Sequence, residues 1–129
     1  MRILKYLAIS IICVGGLGGS AFAQKVVLNW NAVTPPANCT ITAYNVYSSA
    51  TAGGEVMGTH PLTPNGVTGT TFTDSTVAYG QTRYYKVSAW AGAPCSKESA
   101  FSNEVSATVP AQIIIVNAPV LQAPQVVIP

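Results

Sequence analysis

The chain has 129 residues, and its first 23 read as a removable export signal, which leaves a single domain of moderate size. Beyond that segment the bases Lys25, Arg83, Lys86 and Lys97 balance the acids Glu55, Asp74, Glu98 and Glu104. A net charge of zero excludes the basic footprint of a nucleic-acid or anionic-membrane binder. One His and few carboxylates leave little for acid–base or metal chemistry.

Met1–Ala23 has a basic start (Arg2, Lys5), an apolar stretch from Tyr6 to about Leu17, and the small-residue ending Ala21-Phe22-Ala23. That order predicts cleavage before Gln24. The stretch is short for a membrane span, which needs ~20 residues. Cys13 lacks the small residue directly before it that a lipoprotein site requires. Export places the rest in a secreted, periplasmic or cell-surface setting. Removing Cys13 leaves Cys39 and Cys95, an even pair most simply read as one disulfide.

After residue 24 no apolar spacing of 3, 4 and 7 indicates a helix, whereas alternation by two is plain. Val26, Leu28 and Trp30 share one strand face, and Pro35-Pro36 follows as a stop. Ile41–Ser48 sets Tyr44 and Val46 on one face, Asn45 and Tyr47 on the other. Past Gly53-Gly54, Glu55–Leu62 is expected as a short edge strand. Thr70–Thr73 turns Phe72 inward; Arg83–Trp90 turns Tyr85, Val87 and Ala89 inward; Ser102–Val109 offers Val105, Ala107 and Val109. Short Thr-rich strands between Gly, Pro and Asn turns predict an all-β antiparallel sandwich over residues 24–110. No internal repeat is present.

Four pieces in order carry a family likeness: Val26-Val27-Leu28-Asn29-Trp30, Tyr44-Asn45-Val46-Tyr47, the run Gly80 to Ala89, and the run Glu98 to Thr108. Together they resemble a bacterial fibronectin type III domain, an immunoglobulin-like fold. The resemblance implies strands A, B and E on one sheet and C′, C, F and G on the other. It departs from the family twice. The part after Ala23 starts almost at strand B, so strand A is expected to be missing or reduced to a stub. The position resembling the family's corner tyrosine holds Arg83, and Tyr84 lies one residue off that phase. Either the corner hydrogen bond is absent or a bulge restores it.

In the implied fold Cys39 and Cys95 lie in loops that crowd one pole, which makes their bridge spatially credible; a metal site would need more ligands. Trp30 falls in the core. Trp90 falls on the outward phase of its strand with Tyr84, and Tyr47 is outward on the neighbouring strand. Tyr47, Tyr84 and Trp90 are therefore a candidate binding face for a protein or glycan partner, against the plainer reading of cross-strand pairs. His60 reads as a lone solvated loop residue. Glu98 and Ser99 belong to a family-like Glu-Ser-x-x-Ser-Asn turn, not to a nucleophile and base. No phosphate loop, paired carboxylates or Cys–His set is present, so no enzyme and no cofactor are expected. Asn38-Cys39-Thr40 matches a glycosylation pattern with a disulfide-committed residue at its centre, and no modification is expected there.

The tail, residues 111–129, is apolar, uncharged and punctuated by Pro119, Pro124 and Pro129, which excludes a membrane helix. Within it Gln112, Ile113, Ile114, Ile115 and Val116 form a strand-like segment with no place in its own sandwich. The composition leaves two readings open: a secreted binding, adhesion or spacer module, or a subunit that self-associates head-to-tail by donating this segment to the open strand-B edge of a neighbour.

Overall fold

The computed structural model describes residues 7–12 and 24–111. Two antiparallel sheets face each other, and no helix occurs among the described residues. Hence none there is long and apolar enough to cross a membrane. The first sheet runs in the order β1 (Leu7–Ile12), β2 (Lys25–Trp30), β4 (Thr71–Asp74). The second centres on β5 (Thr82–Ala91), with β3 (Ile41–Ser49) on one side and β6 (Lys97–Glu98) and β7 (Val105–Thr108) on the other.

Alternation decides which side chains meet. Val26, Leu28 and Trp30 of β2 face Tyr44 and Val46 of β3 and Tyr85, Val87 and Ala89 of β5 in one core. Ala107, Val109 and Val77 close it, and Phe72 packs against it. The Trp30 ring tilts on Tyr44 with 5.5 Å between centroids.

Three departures from the expected strands have physical causes. Residues Leu7–Ile12, part of the export signal by sequence, lie antiparallel on β2 from Leu7↔Trp30 to Ile12↔Lys25, where an empty or stub strand was expected. Their six residues supply the ladder that the edge of β2 otherwise lacks. Glu55–Leu62 forms turns rather than an edge strand, because Gly58 and Pro61 interrupt it and no residue alternation holds it. A single bridge, Tyr44↔Val67, replaces that strand, with Gly66 at φ +71 bringing the chain in. A Cβ on Gly66 would sit 2.8 Å from the Ala43 Cβ, so the approach needs glycine. The remaining strand, expected over Ser102–Val109, is regular only from Val105 to Thr108.

Where strands fail, hydroxyls take over. The amides of Val87 and Ala89 on β5 donate to Ser102 Oγ at 2.9 Å and Ser99 Oγ at 2.8 Å. In return the Ser102 and Ser99 amides donate to the Val87 and Ala89 carbonyls, both at 2.8 Å. On β3 the Val46 amide donates to Thr63 Oγ1 at 2.9 Å. All three hydroxyl residues are buried.

The corner before β5 is closed without a tyrosine in the family's place and without a bulge, since the β5–β7 register is continuous from Thr82↔Thr108 to Tyr85↔Val105. Asp74, wholly buried, collects the groups there. Its Oδ1 accepts from the Thr76 amide and hydroxyl at 2.8 and 2.6 Å, and its Oδ2 from the Tyr85 hydroxyl at 2.8 Å. Arg83 Nη1 reaches Oδ2 at 3.4 Å and Thr76 Oγ1 at 2.9 Å. Burial and the neighbouring Asp74 carboxylate push the Tyr85 phenol far above its usual range.

At the opposite pole Cys39 and Cys95 form a disulfide with 5.7 Å between Cα atoms. It ties the β2–β3 loop to the β5–β6 loop across a sequence separation of 56.

Three stability outcomes follow. Ser102→Ala leaves the buried Val87 amide without an acceptor and should cost ~1–3 kcal/mol in urea unfolding. Ser106→Ala, on an exposed β7 position, should stay within ~0.5 kcal/mol. Opening the Cys39–Cys95 loop by a double Cys→Ser change should cost ~4 kcal/mol by chain entropy, read as a fall in the urea midpoint.

Candidate functional site

The outward residues of β3 and β5 define the face on which Tyr47, Tyr84 and Trp90 were expected to form an open stripe. Pairing sets its rows: Ala43 opposite Trp90, Asn45 opposite Ser88, Tyr47 opposite Lys86, Ser49 opposite Tyr84. Across β5, Trp90 is paired with Glu98 of β6. The rows are as alternation predicts, but the face is not open throughout.

Tyr47 is wholly buried, which corrects its place in the stripe. The cover is the connection between β3 and the Val67 bridge, whose Gly58 amide donates to the Tyr47 hydroxyl at 3.1 Å. Met57 Sδ lies 3.5 Å from the same hydroxyl. His60 and Phe101 set their rings edge-on to Tyr47 at centroid distances of 5.3 and 4.8 Å. His60 is thus partly buried, its Nδ1 held 2.7 Å from the Thr63 carbonyl, and not the solvated residue its isolation in sequence suggests.

Glu98 is the polar centre of this face. Its Oε1 accepts from the Tyr47 and Ser88 hydroxyls in short hydrogen bonds, and from Asn45 Nδ2 at 2.9 Å. Burial pushes the Glu98 carboxyl up, but the bonds from Ser88, Tyr47 and Asn45, with His60 nearby, together hold it below the usual carboxylate range. The Tyr47 phenol moves the other way, raised by burial and by the Glu98 carboxylate.

A second latch holds the other end of the covering loop. Lys86 Nζ lies 3.3 Å from Glu55 Oε2 and 3.5 Å from Glu104 Oε2, and its ammonium sits over the Phe101 ring. The Gly53 amide donates to Glu104 Oε2 at 2.7 Å. Burial raises the Glu55 carboxyl above its ordinary value, with Glu104 adding and Lys86 opposing. The Gly53 amide leads the causes that lower Glu104.

What stays open is apolar. Val56 is 63% exposed and Met57 44%, both on the covering loop, and Trp90 is 38% exposed where Trp30 is 5%. Tyr84 is half-buried six residues from Trp90 along β5, a distance of ~20 Å, so the two rings make no continuous platform. Beside the disulfide a cleft of about 490 Å³ is bordered by Pro36, Cys39, Cys95, Lys97 and Glu98. Among the described residues no group of His, Cys, Asp and Glu has the make-up to hold a metal ion. The candidate assembly strand, Gln112–Val116, lies outside the described residues.

Sequence reading missed Glu98, Lys86 and Asp74 as structural centres. The signal available was scarcity: the domain has four acids, and each has a partner within the fold.

A two-sheet sandwich with this strand order and a core tryptophan on β2 is the fibronectin type III class. Neither protein-family models nor curated proteins match the sequence. Among solved structures, a fibronectin type III-like protein from Clostridium thermocellum is 30% identical, the match covering 70% of this chain and 81% of that one, at a TM-score of 0.48. The sixth fibronectin type III domain of human fibronectin type III domain containing protein 3 matches at 16% identity over 91% of this chain and 92% of that one, with a TM-score of 0.57. A family 28 exopolygalacturonase from Yersinia enterocolitica shares the fold over 86% of this chain but 21% of its own length, at 15% identity and a TM-score of 0.55. The chain has the fibronectin type III-like fold. Its disulfide fits an oxidising environment.

The two latches titrate in opposite senses. Glu98, with a lowered folded value, adds stability above the ordinary carboxyl range that is lost as pH falls through its folded value. Glu55, with a raised folded value, adds stability below that range that is lost as pH rises through its folded value. In urea titrations between about pH 3 and 7, Glu98→Gln should flatten the acid-side fall. Glu55→Gln should remove the part of the loss that accompanies rising pH. Parallel curves for both variants and the parent would contradict this assignment.

Proposed function

We propose that the domain is an exported, non-enzymatic binding module that contacts a protein partner through Trp90, Met57 and Val56. The observation that carries this reading is the company these residues keep. They are the large apolar side chains left exposed among the described residues: Trp90 lies on the outward side of the β3–β5 sheet, Met57 over it, and Val56 next to Met57 in the covering loop. Met57 sits on the Tyr47 hydroxyl, and Tyr47 and Trp90 are linked through Glu98. A loop latched at both ends keeps its shape on binding, so less ordering entropy opposes association.

A protein partner suits the face better than a sugar chain. Burial of Tyr47 removes the middle ring of the expected stripe and leaves a single exposed indole beside flexible aliphatic and thioether groups. Such groups resemble the anchors of protein interfaces. A pure spacer would have no use for them. Export rests on Met1–Ala23 and the Cys39–Cys95 bridge together.

With Trp30→Phe to silence the core indole, acrylamide should quench the remaining Trp90 emission readily. Trp90→Ala and Met57→Ala should each change stability by less than ~1 kcal/mol. Each should lower retention of a surface-protein partner from the producing cells at least tenfold, while Tyr84→Ala leaves it unchanged. Equal retention by all variants would leave the spacer reading.

A further inference from the structure

The outer edge of β2 takes a strand, and the strand that lies there runs antiparallel to it. Leu7–Ile12 occupies it antiparallel, pairing from Trp30 down to Lys25. Alternate amides face alternate sides. Trp30 donates to the Thr70 carbonyl on the β4 side at 3.0 Å, so the amides of Lys25, Val27 and Asn29 face the outer edge. Leu7–Ile12 belongs to the segment expected to be cleaved before Gln24. Its removal leaves those amides without their partners, on a strand whose Val26, Leu28 and Trp30 anchor the core. Apart from the terminal Lys25, β2 carries none of the devices that blunt an edge: it has no proline, no bulge and no inward charge.

The chain beyond the described residues offers a matching segment. Gln112–Val116 begins directly after Ala111 and is uncharged and rich in β-branched residues, as Leu7–Ile12 is uncharged and apolar. Direction decides which molecule it joins. β2 runs toward the disulfide pole, since it leads into the loop that carries Cys39. β5 also runs toward that pole, and β7, antiparallel to β5, runs away from it. The tail therefore leaves at the pole opposite the disulfide, close to Gly80, whose amide donates to the Val109 carbonyl at 2.9 Å. A strand antiparallel to β2 must start at the disulfide pole. From Ala111 that is a return of ~20 Å, with no residue between Ala111 and Gln112 to span it. On a following molecule stacked end to end, the disulfide pole is where the tail arrives.

We propose that the β2 edge of the exported domain is a strand-acceptor site, and that its occupant is Gln112–Val116 of a second copy, giving a head-to-tail assembly. Main-chain hydrogen bonds supply the attachment, and the heterologous contact leaves a free β2 edge at one end of the assembly and a free tail at the other, so that further copies can add. The absence of net charge after Ala23 offers no electrostatic opposition to stacking.

The test uses protein spanning Gln24–Pro129, measured by light scattering across concentration, with hydrogen exchange of individual amides. The expected result is a mass that grows with concentration, with slow exchange at Val27 and Asn29. A chain ending at Ala111 and an Ile114→Pro variant should both be monomeric, with those two amides exchanging at least tenfold faster. A synthetic peptide spanning Ala111–Asn117, added to the shortened chain, should slow them again. A full-length monomer at every concentration overturns the proposal. If its Val27 and Asn29 amides are nonetheless slow, the tail closes its own edge, by a longer return or by running parallel to β2. Assembly that survives both tail variants overturns it as well, by placing the contact elsewhere.

Discussion

Three hydroxyl groups stand where strand carbonyls would otherwise be, and the shape of the second sheet depends on them. β5 is ten residues long and lies between neighbours on both sides, so its amides and carbonyls need partners along its whole length. On the β6/β7 side regular strand pairs only its two ends. Ser99 and Ser102 fill the gap, each accepting from one β5 amide while its own amide returns a bond to the same residue's carbonyl. Thr63 supplies the acceptor alone for Val46 on the outer edge of β3, its own amide turning to the His60 carbonyl. A buried amide left alone costs ~1–3 kcal/mol, so these side chains are as much part of the sheet as its backbone. Their consequence is local freedom. Between β6 and β7 the chain departs from the ladder far enough to bring Phe101 over Tyr47 and Glu104 to Lys86.

That freedom is used to place charge. A domain with few ionisable groups sets them where loops meet sheets: Asp74 at the corner before β5, Glu98 beneath the covering loop, Lys86 between Glu55 and Glu104. Buried charges are a weak source of net stability, because leaving water costs most of what pairing returns. Their effect here is on position. Removing a partner leaves a carboxylate buried and unpaired, so alternative placements of the loop over Tyr47 are penalised more than the native one is favoured. The opposite pKa directions of Glu98 and Glu55 express the same division. Glu98 is surrounded by donors that favour its charge, whereas Glu55 is buried with another carboxylate close by.

The sequence made the strands legible because period-two alternation is a direct record of which face is buried. Val26–Trp30, Ile41–Ser48 and Arg83–Trp90 lie within one or two residues of β2, β3 and β5. It misled where burial came from something other than a facing sheet. Tyr47 was placed correctly on the outward side of β3, but alternation carries no information about a loop that folds back over that side. Glu55–Leu62 was expected as an edge strand, yet its Val56 and Met57 are among the exposed large apolar side chains. Ser99, Ser102 and Thr63 were unreadable for a related reason: a polar residue in a strand pattern signals solvent, and these three are buried as acceptors. The disulfide was accessible by another route, through compartment, cysteine number and the poles of the resembled fold, none of which depends on periodicity.

Exposure of Trp90 follows from the same arrangement that buries Tyr47. In the sheet the indole has Ala43 on one side and Glu98 on the other. Alanine is too short to lie across it. Glu98 has the length, but its carboxylate is committed to Asn45, Tyr47 and Ser88 in the rows beyond. Turning it back over the indole would give up three hydrogen bonds to an ionised group, each worth ~1.5–3 kcal/mol, for the burial of part of one ring worth less. The carboxylate therefore holds the loop down and, in doing so, keeps the tryptophan uncovered. A neutral residue at this position would be free to fold over the indole, so the acid couples a closed loop at one end of the face to an open apolar side chain at the other.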